Sequence, residues 1–180
     1  STLEFQNASG QLVGHSSRFN GTGSDRGQSA WHFDPVTGNT TKIGLFDQSD
    51  GNEHTRTDGF RCTEARSQNA VGQVAGFSNR YGAAGGDRGL SAWQFEPTSG
   101  NTIKIGLYDQ SGGNEHTRND GYKSAIPSIQ NAAGQVVGSS GRYNGGTTSL
   151  GASAWQFDPI TSAIVRIGLH DQAGGTEHTS

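Results

Sequence analysis

Apolar side chains are scarce in this chain, at 29% of residues against roughly 45–50% in an ordinary globular domain whose count includes glycine. That shortage argues against thick helical layers. The 29 glycines make up much of the missing fraction and point instead to many short strands joined by turns. No apolar run approaches the ~20 residues of a membrane-spanning helix. Neither sign of charge dominates: the net charge is −3 and no basic stripe occurs, which argues against a nucleic-acid partner and against an anionic membrane surface. A single cysteine, Cys62, excludes an internal disulfide framework. Methionine is absent and the first residue is Ser1, from which the chain is expected to be a processed or excised product.

What is present is a repeat. SAWHFDPVTGNTTKIGLFDQSDGNEHT from Ser29 returns as SAWQFEPTSGNTIKIGLYDQSGGNEHT from Ser91 and as SAWQFDPITSAIVRIGLHDQAGGTEHT from Ser153. Trp31, Trp93 and Trp155 are spaced 62 residues apart, and Gln6, Gln68 and Gln130 keep the same interval. The period divides a single domain into repeats 1–62, 63–124 and 125–180. Across the three copies the unchanging columns read QNAxGQxxGxSxR(F/Y), GxSAWxF(D/E)P, (K/R)IGLxDQ and GxEHT. Cys62 falls outside them, Ser124 standing at its place one repeat later.

Each copy offers four strands. A short first strand enters QNA, and AxG makes a tight turn because glycine supplies φ > 0. GQLVGHSSRF, GQVAGFSNRY and GQVVGSSGRY form the second strand. In the third, SAWQF, Ser, Trp and Phe share one face by period 2 while Ala and Gln share the other. Pro35, Pro97 and Pro159 end it, since proline cannot donate to a ladder. TKIGL, IKIGL and VRIGL form the fourth. Two longer loops remain, NGTGSDRG and its counterparts, and DQSDGNEHTRTDGF and its counterparts. The expected class is all-β. The leading architecture is β-propeller-like, three four-stranded repeats making half of a six-bladed ring. A threefold β-trefoil or β-prism is the alternative. Thr57–Cys62 has no third counterpart, so the break falls between repeats and leaves every strand whole, as suits head-to-tail joining with another copy.

The run QNAAGQVVGSS, followed by SAWQFDP and then KIGL, resembles the HAF-type repeats of bacterial extracellular proteins. The longer version with EHTR-N-D-G-Y resembles repeat arrays of secreted or surface-anchored bacterial proteins. The resemblance covers nearly the whole chain. It implies a propeller-like fold and export to the extracellular space or cell surface, and it is silent on activity.

Three sets of residues could carry chemistry. Asp47 with Glu53, Asp109 with Glu115, and Asp171 with Glu177 place two carboxylates in each EHT loop, a pattern that suits a hard cation such as Ca2+. The competing expectation is that Asp caps the turn and Glu holds backbone amides. His54, His116 and His178 would meet on a threefold axis as ligands, or lock the loop as buried histidines. Arg18, Arg80 and Arg142 are candidate ligand-binding groups, or structural partners of the EHT glutamate. The tryptophans, lying mid-strand, are expected in the core ahead of a sugar-binding role. Asn7, Asn20 and Asn39 stand in N-glycosylation sequons without counterparts in the later repeats.

No serine elbow, phosphate-binding loop or HExxH motif occurs. Carboxylates in near-identical copies also fit a single asymmetric active site poorly. The expected function is therefore a secreted or surface repeat module acting by multivalent binding, with a glycan as one possible ligand, or by self-assembly as a homodimer or larger homo-oligomer. A propeller hydrolase or lyase with a central-channel site is the enzymatic alternative, and a fibre or coat building block the structural one.

Overall fold

The structure is a computed structural model that describes residues 1–46, 53–108 and 115–168. Every regular element among them is a strand, so the all-β expectation holds. The first repeat contains β1 (Thr2–Gln6), β2 (Leu12–Phe19), β3 (Asp25–Asp34) and β4 (Asn39–Ile43). The second contains β5 (Arg61–Gln68), β6 (Val74–Tyr81), β7 (Asp87–Glu96) and β8 (Asn101–Ile105). The third contains β9 (Lys123–Gln130), β10 (Val136–Tyr143), β11 (Ser149–Asp158) and β12 (Ala163–Ile167). Each set is an antiparallel meander.

The turns follow from local chemistry. In the first hairpin the Asn7 amide bonds the Gln11 carbonyl and the Gly10 amide bonds the Asn7 carbonyl, with Gly10 at φ 81°. The Asn7 Oδ1 accepts the Gln11 amide at 3.0 Å, so the side chain closes the loop from within. At the β3–β4 turn Asp34 Oδ1 accepts the Val36 amide at 2.9 Å, and Pro35 ends the ladder as expected.

Two features depart from the sequence pattern. β3, β7 and β11 each run ten residues and begin four residues before SAW, so the end of the first long loop is strand. The repeats are also not separate four-stranded sheets. Gly27 and Gln28 of β3 pair in parallel with Arg61 and Cys62 of β5, and Gly89 and Leu90 of β7 pair with Lys123 and Ser124 of β9. The later part of β3 pairs with β4 along Ala30–Asp34. One edge of the strand is thus shared between its own repeat and the next, and all twelve strands form one hydrogen-bonded sheet. Gly89 permits the fork. Its φ of 91° suits glycine, and a Cβ there would overlap the Lys123 carbonyl.

From each fork the two meanders fold face to face. One buried cluster joins Val13, Ala30, Ile43 and Leu45 of the first repeat to Ala65, Val74, Trp93 and Phe95 of the second. Its counterpart joins Ala75, Ala92, Ile105 and Leu107 to Ala125, Val136, Trp155 and Phe157. Each meander therefore has an Ala–Ile face and a Trp–Phe face. The Ala–Ile face of one repeat packs on the Trp–Phe face of the next.

The Trp–Phe face is built on glycine. Gly76 lies opposite Trp93 across the β6–β7 ladder, and a Cβ on it would run into the indole and into the Glu64 carbonyl. Gly14 and Gly138 stand in the same relation to Trp31 and Trp155. Gly76→Ala is accordingly expected to lower the unfolding free energy by about 1–3 kcal/mol through overpacking. Gly21→Ala, where an added Cβ would meet no described atom within 4 Å beyond its chain neighbours, should change it by less than about 0.5 kcal/mol. Urea titration of the two variants measures the difference.

Candidate functional site

The residues singled out by their recurrence converge on the seam between repeats. Glu53 leaves the first repeat at the start of the EHT segment and reaches into the second. Its backbone carbonyl accepts the Tyr81 amide at 2.7 Å. Its Oε2 accepts Arg80 Nη2 at 3.0 Å and its Oε1 accepts Lys104 Nζ at 2.7 Å. The next seam repeats the arrangement, with Glu115 Oε1 taking Arg166 at 2.7 Å, Oε2 taking Arg142 at 3.5 Å, and the Glu115 carbonyl taking the Tyr143 amide at 2.7 Å. The basic residue of (K/R)IGL is thus the second cation of the clamp, a partner the sequence pattern marked without explaining.

The arginines complete the joint. Arg80, with its side chain 9% exposed, also donates Nη1 to the carbonyls of Arg88 at 2.9 Å and Gly121 at 3.3 Å. Arg18 donates to the corresponding carbonyls of Arg26 at 2.8 Å and Gly59 at 3.0 Å. One guanidinium therefore ties the second strand to both long loops of its own repeat and, in Arg80 and Arg142, to the glutamate of the repeat before. His54 and His116 are buried and lie beside the glutamate of their own repeat, His54 Nε2 at 3.3 Å and His116 Nε2 at 3.6 Å. Asp47, Asp109, Asp171, Glu177 and His178 lie outside the described residues.

Burial alone would raise the Glu53 carboxyl, but the Lys104 hydrogen bond and charge, then Arg80 and His54, bring it down to about 2. A carboxylate so held is ionised at neutral pH and is a weak proton acceptor. Among the described residues no three His, Cys, Asp or Glu side chains gather as a metal-binding group. Burial, followed by Glu64 and Asp25, raises the Cys62 thiol to about 11, so it stays protonated and unreactive at neutral pH.

Two further seam contacts were hidden in motifs that read as simple turn and strand chemistry. Asn7 Nδ2 donates to the carbonyls of Asn69 at 3.4 Å and Ala70 at 3.2 Å, and Asn69 Nδ2 to those of Asn131 and Ala132, both at 3.5 Å. The invariant QNA asparagine thus steps from each repeat to the next, and the Asn7 sequon lies at one of these joints. The invariant serine of GxSxR receives the preceding repeat. Ser78 Oγ accepts the Leu45 amide and Ser140 Oγ the Leu107 amide, each at 3.1 Å.

His32 breaks the pattern. Its counterpart Gln94 donates Nε2 to the Gly134 carbonyl at 2.6 Å across the second seam. His32 is 3% exposed in the first seam, lies tilted at 49° against Phe95 with ring centroids 5.4 Å apart, and among the described residues its Nε2 has no hydrogen-bond partner.

Among the described residues no neighbouring repeat covers the outer faces of the stack. Trp93 and Trp155 are fully buried, whereas Trp31 is half-buried, together with Leu12 and Phe33. These residues line a groove of about 370 Å3 with Ser1, Ser16 and Thr40. At the other end Ala154 is exposed, Val137 half-buried and Ile167 37% exposed, although Ile43 and Ile105 are fully buried.

No model of a known protein family matches the sequence, and no curated protein matches it significantly. No helix of the described residues is long and apolar enough to cross a membrane.

Two pH effects follow. Glu53 has a folded pKa below its ordinary value, so its contribution is full above about pH 5 and is lost as pH falls toward 2. Glu53→Gln should cost on the order of 2 kcal/mol at pH 7 and remove that part of the acid dependence. Denaturation across pH 2–7 checks both. Burial, opposed by Asp34, lowers the His32 pKa, so the unfolded chain binds the proton more readily and stability falls as pH drops below about 6.5. His32→Gln should raise the melting temperature, by more at pH 5 than at pH 8.

Proposed function

We propose that this chain is a non-catalytic repeat module that works by self-assembly, its repeats acting as blades of a propeller-like ring, three to a chain. One observation carries the reading. Each repeat joins the next through unlike faces, so the three-repeat stack ends in two different apolar surfaces, each of a type that is covered wherever a neighbouring repeat exists. A repeat array that stays single shields its ends with polar outer surfaces. Here Trp31 and Phe33 stand open at one end and Ile167 and Ala154 at the other.

The non-catalytic part rests on how the recurrent charged residues are engaged. Glu53 and Glu115 each bind two cations, and Arg80 is held by two carbonyls and a carboxylate. Such groups act as structural joints and have little capacity left for proton transfer. Secretion or surface display follows from the resemblance to extracellular repeats, which fits a protein whose work is assembly.

Light scattering over a range of protein concentrations tests this reading. The expected mass is at least twice that of the 18.9 kDa chain. A single-chain mass at every concentration would contradict self-assembly.

A further inference from the structure

Resting on that reading, the geometry points to the specific surface: we propose that the Trp31 face of one copy receives the Ile167 face of a second copy, head to tail. The open groove of Ser1, Leu12, Ser16, Trp31, Phe33 and Thr40 is the first repeat's version of a seat that is filled twice within the chain. In the second repeat the seat consists of Val74, Ser78, Trp93 and Phe95, and Ile43 and Leu45 of the first repeat share its buried cluster. In the third it consists of Val136, Ser140, Trp155 and Phe157, occupied by Ile105 and Leu107.

Both the apolar and the polar parts of the seat are specified. Ser78 and Ser140 accept the amide of the leucine that follows Ile-Gly in the preceding repeat. Ser16 stands at the same place in the open groove, its hydroxyl bonded to Ser1 at 2.6 Å. On the other end, Val137, Ala154 and Ile167 occupy the positions of Val13, Ala30 and Ile43, the residues that fill a seat. The third repeat retains at 167 the isoleucine that, as Ile43 and Ile105, fills a seat in the first two seams.

The asparagine joint extends the match. Asn7 and Asn69 donate to the next repeat's QNA carbonyls, and Asn131 is exposed with its Nδ2 on Gln135 Oε1 at 2.8 Å. A second copy docked in this register places its own Asn7 and Ala8 carbonyls before Asn131. Because the faces differ, the contact is heterologous, and two copies close when each face is used once. A ring of two chains then holds six repeats.

Two variants, each altered on one face, test the assignment by light scattering. Trp31→Asp spoils one end and Ile167→Asp the other, and both side chains sit on outer faces where the internal seams are untouched. In a head-to-tail pair each variant spoils both junctions with itself, so each alone should fall from the wild-type dimer to the 18.9 kDa monomer. An equimolar mixture retains one intact pair of faces and should regain the dimer mass, which also shows that neither variant is misfolded. Three results overturn the assignment while leaving self-assembly standing. One is a dimer for Ile167→Asp alone, which indicates Trp31 faces meeting each other. Another is an unchanged wild-type mass for Trp31→Asp, as expected if the aromatic groove serves a glycan. The third is a mixture that stays monomeric. A wild-type chain that is itself monomeric overturns the broader reading instead.

Discussion

The packing of a branched aliphatic face onto an aromatic one is the interaction on which the rest of the molecule depends. No single repeat can bury both of its faces. Each has an indole laid over a glycine on one side and an alanine–isoleucine surface on the other, and only a neighbour covers either. Fully burying such a side chain contributes about 1.5–3 kcal/mol. The small apolar content is therefore concentrated at the seams, and stability is shared between repeats. Glycine at 76 and 138 leaves the room the indole occupies, and the preceding repeat packs over that indole.

Directional contacts fix the register that apolar packing leaves loose. At each seam a glutamate binds two cations, an asparagine reaches the next QNA carbonyls, and a serine takes a backbone amide. These groups gain modest free energy individually, but leaving any of them unpaired in a closed seam is costly. The shared edge of β3 and β7 adds continuity of backbone hydrogen bonding, because the parallel pairs Gly27–Arg61 and Gly89–Lys123 set where each new meander begins. Such a design has a direction: the donors at a seam's two sides differ, so a repeat recognises its successor and its predecessor by different surfaces.

Much of this was legible in the sequence. Four strands per copy, the Ser–Trp–Phe face, the proline stops and the role of arginine as partner of the EHT glutamate all follow from period 2, turn chemistry and charge pairing. The early start of β3 was not legible, since a glycine at positive φ interrupts the alternation by which a strand is recognised. Nor could recurrence say which copy supplies each partner. Glu53 and Arg18 stand in one repeat, yet Glu53 binds Arg80 of the next, and only the stacked faces reveal that offset. QNA read as a hairpin turn, which it is, while its asparagine also spans the seam. The proposed carboxylate pairs for Ca2+ stay half described: Glu53 and Glu115 face cationic side chains, and their aspartate partners lie outside the described residues.

The most direct test of the face-to-face rule is a double-mutant cycle measured by urea unfolding. Ile43→Val and Phe95→Leu lie in one seam, whereas Ile43→Val and Phe157→Leu lie in different ones. The account predicts a coupling free energy of about 0.5 kcal/mol or more for the first pair and additivity within about 0.3–0.5 kcal/mol for the second. Additivity for both pairs would contradict it.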